Sequence, residues 1–271
     1  MLADIATAVV DVSKPPWSYL WDIAAARYRD RLPPIDLLID TCGSPRAAAI
    51  AGDELPCEYV RVGSVPIFSR LGFAAEQLYA RTAAMLSLDE PYQPPVLVPS
   101  GVAIALYKDD FNWHSNKGPA VVIHPGGSHA GKTWPLANWL NLADLLRKTV
   151  EARIVWVFGV QDEERGLILP QRNGEMVYVP RDIAAVAGLA CAADVYCGSE
   201  GGPSHVAAWS MRPDCTRPRC VLPWRRFSRP AWAPPLDTAT VLDMDAPKYD
   251  HPTVPEMLDA VAAQLEAARK A

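Results

Sequence analysis

Val121-Val122-Ile123-His124-Pro125-Gly126-Gly127-Ser128-His129-Ala130-Gly131-Lys132-Thr133-Trp134-Pro135 reads as a buried strand, a glycine-rich loop and the approach to an amphipathic helix. That order builds an anion site. Backbone N–H groups of the loop and of the first helical turn converge, and the helix dipole adds positive potential there. Glycine lets the backbone approach a ligand closely, so the amides of Gly126 and Gly127, with the hydroxyl of Ser128, are candidates for phosphate oxygens. Lys132 adds a full charge. A cation is disfavoured at a helix N-terminus, so its presence there asks for a reason. The alternative readings are a bare glycine turn and a surface lysine.

Working outward, the flanks repeat the same alternation. Strand 120–124 leads to the glycine loop and helix 135–149, and strand 153–158 leads to a polar helix from Asp162. Strand 176–179 precedes helix 182–190, and strand 194–197 precedes helix 203–210. Strand 219–223 and a segment rich in tryptophan and proline follow, and helix 253–269 closes the chain. Alternation of this kind implies a parallel, doubly wound sheet, in which ligands sit at the carboxyl ends of the strands. The loops 124–132, 159–164 and 199–205 all lie at such ends. Upstream, residues 17–31 have helical spacing, 35–39 and 57–62 have strand character, and 73–86 is helical. Residues 91–99 form a proline-rich crossing. The expected domains are 1–97 and 98–252, with 253–271 as a helix packing back across them.

Composition narrows the function classes. The chain has 271 residues, of which 50% are hydrophobic and 21% charged, enough for one large or two small globular domains. A net charge of −5 leaves no electrostatic footprint for nucleic acid. The amino terminus carries Asp4 and no basic leader, and no apolar run approaches a membrane span, so a cytoplasmic location is expected. The chain has six cysteines. Those at 191, 197, 215 and 220 lack the tight pairing of structural zinc sites, so core thiols are the expectation.

Residues 126–133 formally match G-x-x-x-x-G-K-[ST], the signature of P-loop nucleotide hydrolases. Two features oppose that reading. Trp134-Pro135 places the helix start after Lys132, and neither following strand, 154–158 or 195–197, ends in an Asp that would hold magnesium. A different family fits better. His124-Pro125-Gly126-Gly127-Ser128, Lys132 and Trp134-Pro135 resemble the H-P-G-[AG]-S…K-x-W-P block of glycosyltransferase family 9, the ADP-heptose:lipopolysaccharide heptosyltransferases. Residues 193–208, which include Ala193-Asp194, Gly198-Ser199-Glu200-Gly201-Gly202-Pro203 and His205, are similar to that family's second block. Ile35-Asp36-Leu37-Leu38-Ile39-Asp40 with Gly43 resembles its Y-D-x-[VI]-[VI]-D-x-x-G strand, and Pro223-Trp224 with Trp232-Ala233-Pro234 resembles its tail.

The resemblance implies an α/β fold of GT-B type, with two Rossmann-like doubly wound parallel-sheet domains, the first incomplete. It implies an inverting transfer of a heptose or related sugar from a nucleoside diphosphate donor, such as ADP-heptose, to a lipopolysaccharide-core or similar acceptor. No obligatory metal is expected, and a peripheral contact with the inner membrane face stays open. Donor contacts fall on Gly126, Gly127, Ser128, Lys132, Glu163, Glu200, Gly201, Gly202 and His205, with Lys132 stabilising the leaving group. The alternatives are helix-start acids around residue 163 and a core histidine at 205. Glu200 and Gly201 depart from the Asp and the Thr or Ser usual there. Asp40 and Arg46 are candidates for the acceptor. The resemblance places the general base in a G-x-x-G-D-type loop after the family's first strand, and no such loop is seen here. The chain is therefore expected to be either a late-starting reading frame or a shortened member without a recognisable base. The remaining alternatives are a nucleotide-sugar-binding partner subunit and a P-loop hydrolase.

Overall fold

The computed structural model describes residues 37–40, 58–61, 73–94, 96–113, 118–127, 130–159, 162, 175–180, 182–244 and 251–270. The expected helix at 17–31, with Ser128, Arg46 and Glu163, lies outside them. The chain divides into two compact units, Met1–Pro95 and Val96–Ala271.

In the first unit, β1 (Leu37–Asp40) and β2 (Glu58–Arg61) pair in parallel, with Leu37 opposite Glu58 and Asp40 opposite Arg61. Helix α1 (Ala74–Leu86) follows. Ser87 ends it in the left-handed region at φ 53°, and its N–H closes on the carbonyl of Ala83.

The second unit carries the sheet. Its elements are α2 (Gly101–Trp113), β3 (Ala120–His124), a 3₁₀ turn (Ala130–Lys132), α3 (Leu136–Val150), β4 (Arg153–Val157), β5 (Met176–Tyr178), α4 (Ile183–Ala192), β6 (Val195–Gly198), α5 (Gly202–Trp209), β7 (Arg219–Arg225), α6 (Arg229–Trp232), β8 (Ala239–Met244) and α7 (Val254–Lys270). The strand order is β5-β4-β3-β6-β7-β8, and every neighbouring pair is parallel. Counted from β3, this is the order 3-2-1-4-5-6 of doubly wound nucleotide-binding sheets. The direction of winding reverses between β3 and β6, and a crevice opens there at the carboxyl edge.

Alternation along the strands sorts the core into two layers. Val122, Val155, Val157, Tyr196 and Leu222 face one side with Ile104 and Phe111 of α2 and Leu189 of α4. Val121, Ile123, Ile154, Trp156, Val195 and Cys197 face the other with Trp139, Leu142 and Leu146 of α3 and Met257, Val261 and Leu265 of α7. Both faces of the central strands are covered, which is why β3 reads as an unbroken apolar run.

The helices α2 and α6 and the strand β8 were not expected from the sequence. The start of α2 is capped by Ser100, whose hydroxyl accepts from the Ala103 N–H at 3.1 Å. β8 is an edge strand of which only Met244 is fully buried, so its pattern is weak. The closing helix begins in a reciprocal capping box. The Thr253 N–H donates to the Glu256 carboxylate at 2.7 Å, and the Glu256 N–H donates to the Thr253 hydroxyl at 3.3 Å.

Trp134 links the glycine loop to that helix. Its ring is buried edge-on against Trp139 at 4.9 Å, and its indole N–H donates to the carbonyl of Pro252 at 2.8 Å. Trp134→Phe keeps an aromatic ring but leaves that buried carbonyl unpaired and shrinks the side chain. It is expected to cost about 1–3 kcal/mol, read as a lower midpoint in urea unfolding; an unchanged midpoint would show that the link carries no stability.

Candidate functional site

The site grows from the carboxyl ends of β3 and β6. Strand pairing continues past both strands: the Ser199 N–H donates to the His124 carbonyl at 3.1 Å, and the Ser199 hydroxyl donates to the Pro125 carbonyl at 3.0 Å. The Ser204 hydroxyl then donates to the Ser199 carbonyl at 2.6 Å, which fixes the entry to α5. The two loops are thus joined where the winding reverses.

Glycine is required at the base of the first loop. A Cβ on Gly126 would lie 2.2 Å from the Asp162 carboxylate, and one on Gly127 would lie 2.8 Å from the Thr133 methyl. The second loop is open instead. A Cβ on Gly202 would meet nothing within 4 Å among the described residues, and Gly201 is extended with φ 170°. Among the described residues no side chain caps α5, and a helix N-terminus favours an anion.

Lys132, Glu200 and His205 come together there. Lys132 Nζ is 4.0 Å from Glu200 Oε1. Glu200 is buried and accepts at Oε2 from the Arg225 backbone N–H at 3.1 Å, from Arg225 Nε at 2.8 Å and from the Ser228 hydroxyl at 3.3 Å. Arg225 Nη2 donates to its other oxygen. His205 sits in the first turns of α5, its ring edge-on to Trp224 at 5.2 Å. Burial lowers its pKa, Glu200 works against that shift and Lys132 adds to it.

Asp162 serves the loop itself. It is buried, accepts from the Gly159 N–H at 2.7 Å and lies 3.8 Å from His124 Nε2. It ties the ends of β3 and β4 together. The structure therefore brings together Gly126, Gly127, Lys132, Glu200, Gly201, Gly202 and His205. Asp40 ends β1 in the first unit. Ser128, Glu163 and Arg46 lie outside the described residues.

Arg225 and Ser228 were missed in the sequence. A glutamate one methylene longer than aspartate at position 200 was the available sign that its carboxylate reaches a partner on the next strand. The geometry departs from a P-loop: Lys132 closes a 3₁₀ turn, Pro135 precedes α3, and the helix begins only at Leu136. Cys191, Cys197 and Cys220 are buried and Cys215 is exposed. Among the described residues, no cluster of His, Cys, Asp and Glu could hold a metal ion, and no helix is long and apolar enough to cross a membrane.

A family model described as glycosyltransferase family 9 (heptosyltransferase) matches residues 76–216, just over half of the chain. Among solved structures, the glycosyl transferase family 9 protein of Veillonella parvula DSM 2008 matches with a TM-score of 0.65 and 15% identity, over 92% of this chain and 78% of that one. The ADP-heptose lps heptosyltransferase II of E. coli matches with a TM-score of 0.65 and 18% identity, over 91% and 80%. E. coli heptosyltransferase WaaC with ADP-2-deoxy-2-fluoro heptose matches with a TM-score of 0.58 and 17% identity, over 89% and 76%. These likenesses establish an α/β fold of GT-B type. No curated protein sequence matches the chain.

Burial lowers the His124 pKa to about 4, partly opposed by Asp162, and Nδ1 has no hydrogen-bond partner among the described residues. An unfolded histidine titrates near 6.5. Between these values the unfolded chain binds the extra proton, so this contribution is complete above about pH 6.5 and is lost as pH falls toward 4. His124→Gln is expected to flatten the fall of stability across that window by up to about 1.4 kcal/mol per pH unit. Parallel denaturation series at pH 4.5, 5.5 and 7 measure it, and equal slopes for the two proteins would refute the buried neutral imidazole.

Proposed function

The chain belongs to glycosyltransferase family 9, the heptosyltransferases, and from that premise we propose that it moves a heptose or related sugar from a nucleoside diphosphate donor to a lipopolysaccharide-core or similar glycan acceptor, with inversion. Membership makes it a glycosyltransferase. The observation that best supports the finer reading is the junction at β3 and β6, where Gly127 lies beside Lys132 and Glu200, and Glu200 leads into the start of α5.

In this reading the donor diphosphate lies against Gly126 and Gly127 and in front of Gly201 and Gly202. An acceptor hydroxyl attacks the anomeric carbon on the face opposite the diphosphate. The new glycosidic C–O bond forms as the bond to the diphosphate oxygen breaks, and the hydroxyl proton passes to a base. The leaving nucleoside diphosphate gains a negative charge. Lys132, the loop amides and the dipole of α5 are arranged to stabilise it without reorganising. His205 is held neutral by its burial and can donate one ring N–H to a phosphate or sugar oxygen. Ser128 and Glu163 complete the donor side, Glu163 toward the ribose hydroxyls, while Asp40 and Arg46 serve the acceptor. No residue is assigned as the base, and the domain limits 1–97, 98–252 and 253–271 are kept as the working division. The mechanism needs no obligatory metal, and the reaction is read as cytoplasmic, with a peripheral contact at the inner face of the membrane left open.

Calorimetric titration with ADP-heptose, and with ATP plus magnesium, tests this. Lys132→Ala removes a charge-assisted contact worth about 1.5–3 kcal/mol and is expected to weaken ADP-heptose binding about 10- to 100-fold, whereas Thr133→Ala leaves it within a few-fold. Magnesium-dependent ATP binding that both variants abolish, with no response to ADP-heptose, would instead establish a P-loop nucleotide hydrolase. Binding without sugar transfer would make the chain a nucleotide-sugar-binding subunit.

A further inference from the structure

We propose that Arg225 is a positioning residue of the donor site, holding Glu200 in a two-pronged ion pair so that the charge of Lys132 is left for the donor diphosphate. The inference rests on the reading of the site as a nucleotide-sugar site. It deepens that reading by assigning a role to a residue outside the blocks that resemble the family.

The geometry sets up a competition. Glu200 Oε1 lies 4.0 Å from Lys132 Nζ, inside the space proposed for the diphosphate. A carboxylate there opposes an anionic ligand and competes for the ammonium. Arg225 answers both problems. Its Nε donates to Oε2 at 2.8 Å, its Nη2 donates to Oε1, and its backbone N–H donates to Oε2 at 3.1 Å. A planar guanidinium matches a carboxylate in this fork, which an ammonium cannot do. Ser228 adds a fourth donor at 3.3 Å. The side chains become more exposed in the order Glu200 at 5%, Arg225 at 14% and Lys132 at 27%. The carboxylate is therefore deepest, and its stronger partner is buried with it. Lys132, the outermost, meets incoming ligand first.

Two cations and one anion leave one net positive charge at the mouth of the site. Without Arg225 the carboxylate would pair with Lys132 and cancel it. The length of the glutamate is part of the device, because the carboxylate must reach from the end of β6 to the end of β7. Glu200 stands where the family block has aspartate, and Arg225 directly follows the Pro223-Trp224 of the tail.

Titrating the full-length chain with ADP, at low and at moderate salt, tests the pair. The wild type is expected to bind ADP. Arg225→Gln is expected to bind at least tenfold more weakly and with a shallower salt dependence. Glu200→Gln/Arg225→Gln, which removes both charges, is expected to recover to within about threefold of the wild type, whereas Arg225→Lys, which cannot form the fork, recovers only part of the loss. A merely structural ion pair predicts the opposite, with the double variant no better than the single one. Arg225→Gln binding like the wild type, or a folded double variant that stays tenfold weak, overturns the proposal and leaves the site reading intact. A wild type that binds neither ADP nor ADP-heptose overturns both. Should Arg225→Gln fail to melt cooperatively, the double variant decides the matter, since a tenfold loss in that variant while it stays folded refutes the charge role.

Discussion

The parallel pairing of β3 with β6 is the constraint on which the rest depends. These two strands stand where successive crossovers turn to opposite sides, the place where doubly wound sheets receive their ligands. The Ser199 N–H extends the ladder by one more bond to the His124 carbonyl, and the Ser199 hydroxyl reaches Pro125. Each bond is modest. Together they align the start of the glycine loop with the start of α5 to within hydrogen-bond tolerances. A site assembled from loops needs such a junction, because loop backbone otherwise wanders by more than the fraction of an ångström that anion recognition allows.

Burial then determines how charge is handled around that junction. Asp162 lies against Gly126, and its carboxylate faces the Gly159 N–H. Glu200 is answered by Arg225 and Ser228. Both carboxylates sit below the surface and both are satisfied inside the protein, as buried anions must be. Lys132 stands in a different position, partly exposed and at the longer limit of an ion pair. The fold therefore spends its acids on architecture and keeps a cation at the rim.

Much of this was legible in the sequence because the central strands carry their own signature. Residues 120–124 were read with the observed limits, and the strands at 153, 195 and 219 were found within a residue at their starts, since strands buried on both faces are continuous apolar runs; the edge strand at 176 was also found, without that burial. The glycine loop announced the anion site. The unread parts have physical reasons. β8 is an edge strand whose residues are mostly half-buried, so its hydrophobic contrast is low. α2 follows directly on the proline-rich crossing and was absorbed into it, although Ser100 is a sound cap. Arg225 was invisible because an ion pair between the ends of neighbouring strands leaves no periodic mark. Asp162 was read as a helix-start acid, and its contact with Gly126 comes from packing between β3 and β4 that no local spacing encodes.

The bond from Trp134 to Pro252 joins residues 118 positions apart. On a ribosome that adds about 5–20 residues per second, the glycine loop is made many seconds before its anchor. During that interval the Trp134 indole has no Pro252 carbonyl to meet, and the apolar side of α3 waits for Met257, Val261 and Leu265. The parallel sheet can begin to pair from β3 and β4 while synthesis continues, but the layer behind the loop closes only with the last helix. Competence to hold an anion is therefore acquired only once α7 has been made, and a nascent chain arrested before α7 would present its strands without a finished site.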